Sequence, residues 1–243
     1  MNNLLQDVRF AFRQLRRSPA FAFTGITVLT LAIAANVIVF GVLQALILRP
    51  LELPQPDRVM QLARTSQTYP VFSYPEVRDV RDNNSVFSSV AAYTMLSLGL
   101  EVDGVSRVAW GFEVSGEYFE LAGIQPFLGP LLQPADDQPG AAQVAVLSWA
   151  AWKGSFGADP SIVGKKVRID KQPCTIVGVA PEGFYGTEKM MQPDVFVSLV
   201  NGAALEGVNR LEQRRDWHVF AIVRLKDGVT LPQALAELQC VPV

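Results

Sequence analysis

The run Ser18-Pro19-Ala20-Phe21-Ala22-Phe23-Thr24-Gly25-Ile26-Thr27-Val28-Leu29-Thr30-Leu31-Ala32-Ile33-Ala34-Ala35-Asn36-Val37-Ile38-Val39-Phe40-Gly41-Val42-Leu43-Gln44-Ala45-Leu46-Ile47-Leu48 holds no charged side chain and is bounded by Arg17 and Arg49. A helix needs about 20 apolar residues to cross the ~30 Å hydrocarbon core of a bilayer, and this run exceeds that. In lipid every backbone polar group must be satisfied within the segment, so a lone strand is excluded and a transmembrane helix over 18–48 is predicted. Its hydroxyls bond back to the helix, and the amides of Asn36 and Gln44 suit contact with a neighbouring helix.

The flanks orient the span. Arg9, Arg13, Arg16 and Arg17 against Asp7 leave an excess of cations before it, whereas Arg49 and Arg58 after it are balanced by Glu52 and Asp57. The positive-inside rule then places residues 1–17 in the cytoplasm and residues 49–243 outside it. Leu4, Leu5, Val8, Phe12 and Leu15 recur at spacings of three and four opposite the arginines, the pattern of an amphipathic helix lying at the lipid headgroups. The same stretch also reads as the positive region of a signal, with Ala32-Ile33-Ala34 as a small-x-small cleavage site. Against cleavage, the apolar run continues through Val37 to Leu48 and would leave an oily new N-terminus.

Beyond the span the chain reads as a globular body. Of the 243 residues, 49% are hydrophobic and 18% charged, which excludes a disordered chain; the net charge of −2 provides no field for nucleic acid. Pro54 and Pro56 break the exit from the span, and a strand is predicted over 58–64. Ser73-Tyr74-Pro75-Glu76 opens a helix to Asp82 with a capping-box pattern. Ser88–Val102 and Val105–Val114 form a hairpin through Asp103-Gly104, and 115–123 a short helix ending on Gly123. After a Pro/Gly/Asp-rich loop over 125–143, strand Val144–Leu147 leads to a helix over Trp149–Phe156 capped by Ser148. A second hairpin pairs Lys166–Ile169 with Cys174–Val179 through Asp170-Lys171-Gln172-Pro173. Phe196–Val200 is a further strand, and the charged run Glu206–Asp216 a surface connection. Strand Trp217–Leu225, turn Lys226-Asp227-Gly228 and a helix from Leu231 to Cys240 with a Thr230-x-x-Gln233 capping box complete the pattern. Helices and hairpins alternate without a βαβα rhythm, so the class is α+β.

No constellation for catalysis emerges. His218 is the single histidine and lies in an alternating strand with no adjacent nucleophile or carboxylate motif. Cys174 sits in an apolar strand as a small core residue; pairing with Cys240 is open, since spacing does not test disulfide geometry. Asp136-Asp137 in a Pro/Gly loop has the composition of a turn. Gly164-Lys165 lacks the glycine five positions earlier (Asp159 stands there) and is followed by Lys166, so the backbone cradle and hydroxyl of a phosphate loop are missing. Catalytic, cofactor-binding and metal-binding residues are therefore expected to be none, and the chain is not expected to be an enzyme. One helix does not enclose a pathway, so this polypeptide alone is not expected to conduct a solute.

Several ordered motifs together resemble ABC-transporter permease subunits of the MacB/FtsX type, in particular their MacB-like periplasmic core domain. They are Asp7-Val8-Arg9-Phe10-Ala11-Phe12-Arg13-Gln14-Leu15-Arg16-Arg17-Ser18-Pro19, Leu48-Arg49-Pro50-Leu51, Ser73-Tyr74-Pro75, Val114-Ser115-Gly116-Glu117-Tyr118-Phe119 and Val146-Leu147-Ser148. With them go Phe156-Gly157-Ala158-Asp159-Pro160-Ser161-Ile162-Val163-Gly164, Val177-Gly178-Val179-Ala180-Pro181-Glu182-Gly183-Phe184 and Val223-Arg224-Leu225-Lys226-Asp227-Gly228-Val229-Thr230. The set is similar in flavour to the duplicated orphan permeases of the acidobacterial type. The resemblance implies an inner-membrane protein with a cytoplasmic N-terminus and a periplasmic domain over 49–243, divided into a porter-like part (about 55–124 and 217–240) and an inserted, mostly β part (about 125–205). It implies a separate ATPase partner, contact with membrane lipid, a dimer in the complete permease, and no catalytic residue in the permease itself. Such permeases have four membrane helices with this domain between the first two. The chain is therefore expected to be a truncated copy, cut inside the porter-like part. Two functions follow: the N-terminal portion of a permease that transmits conformational change for export, or a single-span anchored scaffold binding an extracytoplasmic partner, with a non-functional relic as a further outcome.

Overall fold

In the computed structural model the described residues are 10, 13, 16–44, 53–64, 69–102, 104–188, 191–206 and 210–238. The chain divides into two compact units, Met1–Pro50 and Leu51–Val243. In the first, helix α1 (Pro19–Leu43) runs for 25 residues with Pro19 in its first turn and no buried residue. Its mean hydropathy of 2.5 and its length, about 37 Å at 1.5 Å per residue, suit a membrane crossing. Thr24 and Thr30 donate their hydroxyls to the carbonyls of Ala20 and Ile26, and Asn36 donates its amide to Ala32, all four residues back. The predicted stretch 45–48 and most of the amphipathic segment lie outside the described residues.

The second unit is α+β. Its elements are β1 (Val59–Gln61), β2 (Val71–Phe72), α2 (Tyr74–Asp82), β3 (Phe87–Val102), β4 (Val105–Val114), α3 (Tyr118–Ala122), β5 (Val144–Leu147), α4 (Trp149–Ser155), β6 (Lys166–Ile169), β7 (Gln172–Val179), β8 (Val195–Ser198), α5 (Leu199–Glu206), β9 (Val219–Leu225) and α6 (Leu231–Leu238). The strands form one sheet in the order β1-β9-β3-β4-β8-β5-β7-β6, with β2 also on β9. Strand β6 returns to pair with the far end of β3, Leu100 opposite Ile169 and Glu101 opposite Arg168, so six strands close into a ring.

Alternation along β3 explains three cores. Val90 and Ala92 face a layer with Val77 and Val80 of α2 and Ala234 of α6. Farther along the same face Leu98 and Leu100 fill the ring with Leu147, Ile169, Ile176 and Val195. On the opposite face Ala91 and Tyr93 pack with Phe112, Tyr118, Phe119 and Phe196 beneath α3. Side chains on a strand point alternately to its two faces, so one strand of 16 residues serves all three.

Most local expectations hold, and the departures have physical reasons. Glu76 accepts from the Ser73 N–H at 2.8 Å at the start of α2, Ser148 Oγ accepts from Ala151 N at 3.2 Å, and Gln233 accepts from Thr230 N at 2.8 Å. The β3–β4 register sets Val102 opposite Val105 across the expected two-residue turn. The second hairpin turn is shorter than expected: Asp170 and Lys171, at φ of 48° and 69°, make it alone, and Gln172 already pairs with Ile169. The expected strand Phe196–Val200 ends at Ser198, where the hydroxyl accepts from Asn201 N at 3.1 Å and starts α5 in place of continued strand or open loop. His218 precedes β9 and is not part of it.

Candidate functional site

The residues weighed for chemistry scatter. His218 is half-buried; its Nδ1 lies 3.0 Å from the Asp216 carbonyl and 3.5 Å from its carboxylate, with no nucleophile among its described contacts. Cys174 is buried inside the ring, and burial pushes its thiol up to about 12, so the reactive thiolate is suppressed. Cys240 lies outside the described residues. Lys165 ion-pairs with Asp159, whose carboxyl is drawn down to about 2 by that lysine and by Ser161. Gly164 turns at φ of 89° and donates to Ile176 O at 2.8 Å, so this pair closes a loop onto β7.

The acidic pair separates into two roles. Asp136 takes the Gln133 N–H at 3.0 Å as a turn residue. Asp137 is 7% exposed and accepts from Gly116 N at 3.1 Å, Ser198 Oγ at 2.6 Å and Val200 N at 2.9 Å. Burial raises its carboxyl above the ordinary value, opposed by these three bonds. It thus clasps the 125–143 loop to the β4–α3 junction and to the start of α5, a role that a Pro/Gly/Asp composition does not signal.

A groove of about 580 Å³ opens in the second unit between the β1 edge and α6. Residues 60–64 line it on one side and Leu231, Leu235 and Leu238 on the other, with Phe87 and Val223 among the floor residues. Leu231 and Leu235 remain 50% and 53% exposed, and Ala234 is the buried residue of α6. Beside it, the Arg64 guanidinium lies 5.0 Å from the Phe72 ring and 5.4 Å from Trp217, and it ion-pairs with Glu76. The spacing Leu231, Ala234, Leu235, Leu238 carries the signal for this face; the groove also requires the pairing of β1 with β9, a long-range contact. The lining is apolar apart from Gln61 and Arg64, and among the described residues it brings no nucleophile, base and oxyanion donor within reach of one another.

An apolar helix long enough to cross a membrane, ahead of a domain that matches a periplasmic family, marks a membrane-anchored protein with an extracytoplasmic domain. Residues 24–240 match the model of the MacB-like periplasmic core domain, and the chain belongs to that family. It is 30% identical over 173 residues to the macrolide export ATP-binding/permease protein MacB of Campylobacter jejuni, covering 70% of this chain and 24% of that protein. It is 30% identical over 152 residues to MacB of Burkholderia thailandensis, covering 61% and 21%. The chain thus spans about a fifth to a quarter of the length of these curated relatives. Its fold is similar to the periplasmic region of MacB from Actinobacillus actinomycetemcomitans (TM-score 0.58, 19% identity, 74% of this chain and 78% of that one). It is also similar to a domain of a putative permease protein from Porphyromonas gingivalis (TM-score 0.57, 18% identity, 78% and 86%).

Proposed function

We propose that this chain is a non-catalytic transmembrane and periplasmic module of an ABC permease, passing conformational change between a separate ATPase and the periplasmic side during export. One observation carries the reading: the family match starts at residue 24, inside α1, and runs on through the second unit to residue 240. Anchor and domain therefore belong to one family unit, which a cleaved leader ahead of an unrelated domain would not produce.

In this reading 1–17 lies at the cytoplasmic lipid surface, 18–48 spans the membrane, and 49–243 is periplasmic, with a porter-like part over about 55–124 and 217–240 and an inserted part over about 125–205. The complete permease is a dimer. Protease added to spheroplasts tests the topology: digestion of 49–243 with a protected N-terminal fragment is expected, and a protected domain refutes it. Co-expression with the ATPase subunit tests the transmission: ATP hydrolysis by the co-purified complex is expected to change when α1 is exchanged for an unrelated membrane helix. An unchanged rate, or no co-purification, refutes it.

A further inference from the structure

The chain enters the second unit through a segment that is held from two sides. Leu53 is buried in the core that also holds Leu121, Ala122 and Ile222. Pro54 follows, then Gln55 in the left-handed region at φ of 51° and a short 3-10 turn over Pro56–Arg58. A residue with a side chain keeps that conformation only where its surroundings hold it there. Arg58 does so from outside: its N–H donates to the Gln55 carbonyl at 3.1 Å and its Nη1 to the Gln55 side-chain oxygen at 2.8 Å. The same guanidinium donates through Nε to Leu225 O at 3.0 Å and ion-pairs with Asp227, which ties the turn to the end of β9. Arg224 acts from inside. It lies in β9 opposite Val59 of β1 and Ser89 of β3, and as a neighbour-but-one of Ile222 it leaves the sheet on the α3 face. Its Nε donates to Leu121 O at 2.6 Å, and its Nη2 to Pro54 O at 3.1 Å and Ala122 O at 3.4 Å. The last carbonyls of a helix have no partner within it, and a cation there is favoured by the helix dipole. One planar fork thus joins β9, the end of α3 and the entry segment. Burial first, and the nearby Arg58 second, hold the Arg224 guanidinium below its ordinary pKa, so two cations are kept close at a cost that these carbonyls offset. The motif Val223-Arg224-Leu225-Lys226-Asp227, which no catalytic role absorbs, supplies the β9 side of both contacts.

We propose that Arg224 is a positioning residue: with Arg58 it latches the entry segment Leu53–Arg58 to α3 and β9, so that the second unit is gripped from Leu53 onward. This rests on the transmission reading above and deepens it. A displacement arriving from the anchor passes at Pro54 through the Arg224 fork to α3 and the sheet, and the entry segment does not absorb it. Of the two arginines Arg224 carries more, because its three acceptors are backbone carbonyls of two different segments. Arg58 shares its charge with Asp227, whose side chain is 94% exposed and screened by solvent.

The first test uses the full chain in detergent micelles and follows amide hydrogen exchange at Arg58 and Val59, whose N–H groups bond back to Gln55 O and Pro56 O. Arg224→Met keeps an apolar stem and removes the fork. Exchange at both amides is expected to rise by about tenfold, with the β3–β4 ladder within about twofold of wild type. Arg224→Lys puts a single donor point in place of the fork; it is expected to give a smaller rise and carries the test should the Met chain fail to fold. The second test uses the dimer co-purified with its ATPase subunit, spin-labelled through Lys166→Cys in a Cys240→Ser chain, with the buried Cys174 left in place. The ATP-dependent change in label distance is expected to shrink by about twofold or more in Arg224→Met. It is expected to persist in Ile169→Val, which weakens the ring and leaves the entry segment alone. The proposal is overturned if neither Arg224 variant speeds exchange at Arg58 and Val59, or if the distance change survives intact in Arg224→Met. An equal rise along the β3–β4 ladder overturns it too, because Arg224 then only stabilises the unit as a whole. A wild-type complex with no ATP-dependent change refutes the transmission reading instead, and exchange in the chain alone still decides the latch.

Discussion

Asp137→Ala probes whether one buried carboxylate holds the second unit together. The substitution strands three donors, the N–H groups of Gly116 and Val200 and the hydroxyl of Ser198, now bonded at 3.1, 2.9 and 2.6 Å. Each buried donor left without an acceptor costs about 1–3 kcal/mol, and removing a desolvated charge returns part of the sum, giving a net loss of about 3 kcal/mol. Asp137→Asn keeps one acceptor oxygen but turns an amide donor toward another donor, for a loss of about 1–2 kcal/mol. The carboxyl also has a pH signature. Burial raises its folded pKa above the ordinary 3.8, so folding takes up a proton. The resulting contribution is fully present below the unfolded value and is lost as pH rises through the folded one. Urea unfolding of the full chain in micelles, followed by tryptophan fluorescence from pH 3.5 upward, measures both effects. The wild type is expected to lose this increment on raising the pH, and the Asn variant is not. A loss below about 1 kcal/mol for Asp137→Ala, or parallel pH profiles, refutes the clasp.

Two glycines give opposite outcomes in the same unfolding assay. A Cβ on Gly178 would stand 2.0 Å from the Pro130 carbonyl oxygen, backbone that has to move, so Gly178→Ala is expected to destabilise by about 2 kcal/mol or more. A Cβ on Gly154 in α4 meets nothing within 4 Å, so Gly154→Ala is expected to be neutral or to stabilise by up to about 1 kcal/mol. In α1, Leu31→Lys puts a charge near the middle of the apolar run at a cost of about 3 kcal/mol, and membrane retention after carbonate extraction is expected to fall.

What could be read from the residues was local. The apolar run as far as Gln44, the two-residue turn between Val102 and Val105 and the caps at Ser73, Ser148 and Thr230 depend on neighbours within a few positions, and they reappear in the described structure; 45–48 lie outside it. The pairings that shape the unit join distant residues: β6 with β3 across some seventy positions, and β1 with β9 across more than a hundred and sixty. No local pattern encodes a ring closure or the groove, so neither was legible, although the helix from Leu231 and its cap were. The α5 start shows the limit in miniature. Ser198 ends a strand and accepts from Asn201 N at the start of a helix while its hydroxyl donates to Asp137, far away in sequence.

Strands β3 and β4 also constrain how such a domain moves. They stay paired from Tyr93–Val114 to Val102–Val105, across the place where β3 leaves β9 and enters the ring. A hinge there would break several ladder bonds at about 0.5–1.5 kcal/mol each and open the aromatic stack of Tyr93 on Phe112 and Phe220, whose centroids lie 5.8 and 5.2 Å away. Tilting the second unit as one body breaks none of these. If movement is passed along this chain, the cheaper path keeps the helix-covered part and the ring together and places the deformation outside the sheet. A substitution that weakens the junction, such as Tyr93→Ala, is then expected to lower coupling in proportion to stability, whereas one confined to the ring interior, such as Ile169→Val, lowers stability by about 1 kcal/mol and leaves coupling intact.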